Sequence, residues 1–151
     1  MAHLEAIFLF PVRGGAPVRR PSARAVAGRG LDGDHHQADL TLFGDNKPEN
    51  QLTLIEAEAL DALARRQGTP LPPGTSRRNL VTRGIGLNAL VGRTFRIGEL
   101  RARGLERCDP CSHLEALTRP GVLRALVNRG GLRAEVLTDG VLREGDPIVV
   151  E

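Results

Sequence analysis

The chain has 151 residues, which suits one compact domain and leaves little room for a second. It is 40% hydrophobic and 26% charged, and no run approaches the roughly 20 apolar residues of a bilayer-spanning helix, so a transmembrane helix is excluded. The net charge of +3 rests on dispersed arginines, with Lys47 the single lysine; four Phe and no Tyr or Trp offer no stacking platform, so no nucleic-acid role is expected.

The first segment, Leu4, Ala6, Phe8 and Phe10 in alternation and then Pro11, reads as a strand with those four residues on one face. It lacks a basic n-region, so no secretory signal is expected and the cytoplasm is the default compartment. Residues 13–30, rich in Arg, Gly and Pro, read as loop and edge strand with a short extended piece around Val26. Gly30-Leu31-Asp32-Gly33-Asp34-His35-His36 is a polar turn, and residues 41–50 form a second loop.

Gln51 to Ile55 is β-prone, and Glu56 to Arg66 is the clearest helix, with strong helix formers, acids near its start, arginines at its end and Gly68 as its stop. Pro70, Pro72, Pro73 and Gly74 form a stiff connector before a short strand at residues 78–82. Residues 90–98 lead through a strand into a turn, and Leu100 to Leu105 alternates as a half-buried strand. Helical stretches are expected at 112–117 and 121–128, then strands at 133–137, 141–143 and 148–150, with Asp139-Gly140 as a hairpin turn. Many short strands, 18 Gly and 10 Pro argue for a mainly β chain, a barrel or sandwich with few helices, in one domain over residues 1–151. The regular βα alternation of a doubly wound fold is absent, as is a Gly-rich phosphate loop.

Three clusters carry chemistry. The densest is Arg107-Cys108-Asp109-Pro110-Cys111-Ser112-His113. Two cysteines make no disulfide framework, and the C-x-x-C admits several readings: part of a structural zinc site, a dithiol redox pair, two small packed residues, or a nucleophilic, sulfur-bearing thiol beside Arg107 and His113. Zinc would need a fourth ligand from His35 or His36. The second cluster, Asp32, Asp34, His35, His36 and Asp39, is either a metal site or an exposed polar turn. The third, Ser76-Arg77-Arg78-Asn79, offers anion contacts or plain solvated charge.

Taken in order, these pieces resemble the MOSC domain, named for the C-terminal domain of molybdenum cofactor sulfurases. The matching segments are Gly30 to His36, Gln51 to Glu56, Arg78 to Ile85, Leu90 to Gly98, Cys108 to Cys111, Gly130 to Leu137 and Gly145 to Pro147, over about residues 12–150. The resemblance implies a β-barrel-like fold and a cysteine that carries sulfur or ligates molybdenum, which maps best onto Cys111, with Cys108 as a companion. It places Asp34, His36, Arg78, Asn79 and Arg133 around a cleft for an anionic molybdopterin. It also implies a sulfur carrier or transferase supplied by a cysteine desulfurase, with pyridoxal phosphate entering only through that partner; the lone Lys47 lies in a polar loop and is no Schiff-base candidate. The alternatives are a non-catalytic cofactor-binding module and a structural-zinc protein using Cys108 and Cys111. Where relatives commonly carry Arg before the strand at residue 51, this chain has Asn50, one anion contact fewer.

Overall fold

The computed structural model describes residues 1–35 and 47–151, and the following concerns those residues. The strands are β1 (His3–Leu9), β2 (Val18–Arg20), β3 (Ser22–Val26), β4 (Gly30–Leu31), β5 (Leu52–Glu56), β6 (Leu80–Arg83), β7 (Thr94–Ile97), β8 (Leu100–Arg107), β9 (Leu132–Val136), β10 (Gly140–Arg143) and β11 (Ile148–Val150). The helices are α1 (Ala57–Gln67), α2 (Ser112–Leu117) and α3 (Val122–Ala125). Eight strands form one sheet in the order β11-β7-β8-β9-β5-β6-β1-β2, and β10-β3-β4 form a small second sheet.

The large sheet curls until the start of β1 meets the approach to β11. Leu4 N–H donates to Asp146 O (2.8 Å), Gly145 N–H to Leu4 O (2.7 Å) and Ile148 N–H to Ala2 O (3.0 Å), which ties the start of β1 to the approach to β11. The result is barrel-like, as the strand-rich sequence predicts. Neighbours are antiparallel except β5 and β6, whose parallel pairing requires a crossover; α1 and the proline-rich connector supply it. α1 begins one residue later than expected and ends at Gly68, whose φ of +76° suits glycine at a helix C-terminus.

Two apolar clusters share the central strands. Inside the barrel, Leu4, Ile7, Leu9, Leu52, Leu54, Leu80, Phe95, Ile97, Leu100 and Leu132 are among the buried side chains. Outside it, Ala6, Phe8, Phe10, Ile55 and Val81 pack under Leu63 of α1, Leu114 of α2 and Val122 of α3. Burial on both faces explains the unbroken run Ile7-Phe8-Leu9-Phe10. It also corrects the single-face reading of β1. The register with β6 shifts between Leu4 and Ala6, and that bulge turns Leu4 inward with Ile7 and Leu9, while Ala6, Phe8 and Phe10 face the helices.

Three further expectations change. Asp139-Gly140 is not the turn of a β9–β10 hairpin: both edges of β9 are taken by β5 and β8, so β10 pairs with β3, and Asp139 Oδ1 accepts from Ala27 N–H (2.8 Å). The helical stretch expected at 121–128 contracts to Val122–Ala125. Arg78 and Asn79 precede β6 rather than belonging to it, which frees their side chains for the site.

At the outer edge, Glu151 accepts from Arg96 (2.9 Å) and Arg101 (3.0 Å), and these bonds hold its carboxyl below the usual carboxylate range. A lowered folded pKa contributes stability above the unfolded pKa, and that contribution is lost as pH falls through the folded value. Because the carboxylate is solvated, the effect is small and salt-sensitive. Melting temperatures followed downward from neutral pH should fall less steeply in Glu151→Gln than in the wild type; parallel curves would show that the cluster contributes nothing.

Candidate functional site

The barrel ends, the loop before β6 and the start of α2 enclose a cleft of about 300 Å³, the lower end of the size range for small-molecule sites. Its walls are Phe10, Arg13, Asn50, Thr53, Arg77, Arg78, Asn79, Cys108, Cys111, His113, Leu117 and Arg133, with Gly14, His35 and Leu114 completing it.

The floor is a polar network that the local fold dictates. Asn79 N–H donates to Thr53 Oγ1 (3.0 Å), and its Oδ1 accepts from Thr53 N–H (3.2 Å). Its Nδ2 donates to Phe8 O and to Asp34 Oδ1, both at 3.1 Å. Asp34 Oδ1 also accepts from Phe10 N–H (2.9 Å). Asn79 thus lines the cleft and locks β1, β5 and the loop after β4 together, whereas Asp34 is a buried strut behind the wall.

Arg78 is also buried. Its Nε donates to Gly130 O (2.8 Å), Nη1 to Ser76 O (3.3 Å) and Nη2 to Cys108 O (3.3 Å). These partners are neutral, and among the described residues no carboxylate forms an ion pair with this buried cation. Burial pushes its pKa down, opposed by the cysteines and Asp109. Arg77 has a φ of +64°, unusual for a residue with a side chain. That backbone turns its guanidinium over the Phe10 ring, 4.3 Å from the centroid, and onto Gly15 O. Burial lowers its pKa, and the charge of Asp34 works against that. Arg133 lies opposite Thr53 in the β5–β9 register, donates to Glu49 O (3.3 Å) and sits 3.7 Å from Glu106.

Both cysteines are free thiols at the cleft. Cys108, where β8 ends, is 1% exposed. Cys111 caps α2 and is exposed, its Sγ accepting from Leu114 N–H (3.4 Å). The described lining therefore holds four arginines and two histidines and no carboxylate side chain, with a soft thiol at its mouth.

The structure brings together Cys108, Cys111, Arg78, Asn79 and Arg133, residues far apart in sequence. His36 and Asp39 lie outside the described residues; His35 lines the cleft, with Nδ1 2.8 Å from Phe10 O. Arg13, Phe10 and Thr53 also face the cleft, and residue type alone does not mark them. Arg77 was visible in the Arg77-Arg78 pair, but only its left-handed backbone sends it to Phe10. Among the described residues no three His, Cys, Asp or Glu side chains converge as a metal set; His36, a ligand open to the structural-zinc alternative, lies outside them.

The sequence model of the MOSC domain matches residues 32–149, most of the chain. The chain belongs to the MOSC domain family. Its match contains Arg78, Asn79, Cys108, Cys111 and Arg133. Solved structures agree on the MOSC fold. The YuaD protein of Bacillus subtilis superposes with a TM-score of 0.77 at 18% identity, over 99% of this chain and 96% of that one. YiiM of Geobacillus stearothermophilus gives 0.74 at 15% identity, over 100% and 75%. YiiM of Escherichia coli gives 0.68 at 19% identity, over 100% and 70%. At these identities the likeness is one of fold. No curated protein matches. As in the fold expected from sequence, this MOSC domain is mostly strand with short helices, and none of its described helices is long and apolar enough to cross a membrane.

Proposed function

We propose that this MOSC domain is a sulfur carrier in which the Cys111 thiol accepts sulfane sulfur and holds it as a persulfide. The observation that carries the reading is the exposed Cys111 at the mouth of a cleft whose described lining holds arginines and histidines and no carboxylate. A thiolate is the reactive form, and an electropositive, reachable setting suits it. In the loading step the Cys111 thiolate attacks the terminal sulfur of a donor persulfide, R–S–SH. The Cys111–S bond forms, the donor S–S bond breaks, and the donor leaves as its thiolate R–S⁻. A cysteine desulfurase is the donor of matching chemistry, and any pyridoxal phosphate belongs to that enzyme.

The donor set also fits the molybdopterin group that the family's name implies. Cys111 offers a soft ligand, and Arg77, Arg78 and Arg133 offer guanidiniums for an anionic phosphate. When bound, that group would supply a metal–sulfur centre; the chain's own part is to bind and orient it. The abundance of arginine beyond what one thiol needs favours a second reading, a cofactor-binding module without turnover.

Reduced protein incubated with a cysteine desulfurase and free cysteine is expected to gain sulfur that peptide mapping places on Cys111, and Cys111→Ala is expected to gain none. A folded wild type that takes no sulfur overturns the carrier reading. Stoichiometric retention of molybdenum and pterin by that same protein would then support the binding module.

A further inference from the structure

Loading Cys111 leaves Cys108 unexplained. It is a free thiol on the same cleft and three residues away, yet it is buried to 1% exposure. A buried thiol does not meet a protein donor. The sulfur species within its reach are those on its own chain, and the one other cysteine is Cys111.

Its backbone is held from several sides. Cys108 N–H donates to Gly131 O (2.8 Å), and Cys108 O accepts from Arg78 Nη2 (3.3 Å). The 108–110 segment lies so close to Gly130 that a Cβ there would sit 2.3 Å from Cys108 O and 2.7 Å from Pro110 Cδ. The buried Arg78 guanidinium, which donates to Cys108 O, lines the same cleft as both cysteines. One thiol is thus open to a donor, its companion is enclosed, and the buried Arg78 cation lines the cleft beside them.

We infer that Cys108 is the resolving nucleophile of a dithiol pair, converting the Cys111 persulfide into free sulfide and a Cys108–Cys111 disulfide. This rests on the carrier reading. The Cys108 sulfur attacks Sγ of Cys111, the new Sγ–Sγ bond forms, and the bond from Cys111 Sγ to the terminal sulfur breaks. The terminal sulfur leaves as HS⁻, or as H₂S with the proton from the Cys108 thiol. The sulfane sulfur gains two electrons and the two thiols lose them, so the step needs no outside oxidant or reductant. Two equivalents of a small-molecule thiol, or one protein dithiol, reset the pair afterwards by exchange and leave as their own disulfide. The product delivered is then sulfide, the reduced form that suits an electrophilic acceptor, rather than sulfane sulfur.

Inorganic polysulfide is the probe. The reduced protein is loaded, desalted and divided. One portion is assayed over time for sulfide with an alkylating trap, the other by intact mass and disulfide mapping after thiol blocking. The wild type is expected to lose its added sulfur as sulfide while a Cys108–Cys111 disulfide appears in step. Cys108→Ala, checked for fold by circular dichroism, is expected to load Cys111 and keep the persulfide, with sulfide release lost. A wild type that holds its persulfide with Cys108 still alkylatable overturns the inference alone and leaves the carrier reading standing. So does sulfide release at an undiminished rate from Cys108→Ala. A wild type that acquires no sulfur on Cys111 overturns the carrier reading and this inference with it.

Discussion

Arg78→Met is expected to destabilise the protein by roughly 3–5 kcal/mol, since it strips a buried network of its charged donor while keeping most of the side-chain volume. Three carbonyls, those of Ser76, Cys108 and Gly130, lose their donor at once, and each is enclosed by the cleft floor. A hydrogen bond to a charged group contributes about 1.5–3 kcal/mol, and partial relaxation keeps the total below the simple sum. Removing a buried charge also removes its own desolvation cost, which works in the opposite direction. The carbonyls prevail because they lie on three different segments and have no alternative partner on methionine. Lysine should not rescue: a point charge with rotating donors does not reproduce a planar fork bonded to three fixed oxygens. Urea unfolding of wild type, Arg78→Met and Arg78→Lys tests this. Midpoints within experimental scatter of one another would mean that the guanidinium is not a structural member of the site.

Gly131→Ala carries the second large effect, at or above about 4 kcal/mol, the range in which single substitutions prevent folding. Gly131 has a φ of +117°, and a Cβ there would lie 2.0 Å from Leu54 O. That oxygen belongs to β5, in the middle of the large sheet, and cannot retreat without breaking strand register. The damage would reach the site, because Gly131 O receives Cys108 N–H. Gly92→Ala is the control. It shares a positive φ of +78° but meets nothing within 4 Å, so its cost is the conformational one alone, about 1 kcal/mol. Soluble yield and unfolding midpoints of the two variants should differ sharply. Similar values would show that β9 can move away from β5.

Local rules made a good part of this legible. α1 is written in its alanines, leucines and flanking charges, and its stop in Gly68. The β-rich class follows from short apolar segments separated by glycine and proline. What failed was whatever depended on which edge or face a strand finds. Alternation, a two-residue rule, puts Leu4 on one face with Phe8, whereas a bulge is a tertiary response to two buried faces. Asp139-Gly140 has hairpin chemistry, yet β9 had no free edge for β10 to pair with. In the site, the cysteine pair and the Arg78-Asn79 element stood out by residue type. Phe10 does not, and nothing local places the Arg77 guanidinium over its ring, since that depends on a left-handed backbone at one arginine.

The sequence by itself determined the class of the fold, the family and the residue types that carry chemistry, because propensity, turn chemistry and motif order are local properties of the chain. Tertiary structure alone decided that Arg78, Arg133 and the two cysteines share one cleft, that Asp34 stands behind its wall, and that Cys108 is enclosed while Cys111 is open. Those facts arise when a curled sheet brings the ends of β5, β8 and β9 beside the loop before β6, and no local rule encodes the distance between segments that the chain separates by dozens of residues.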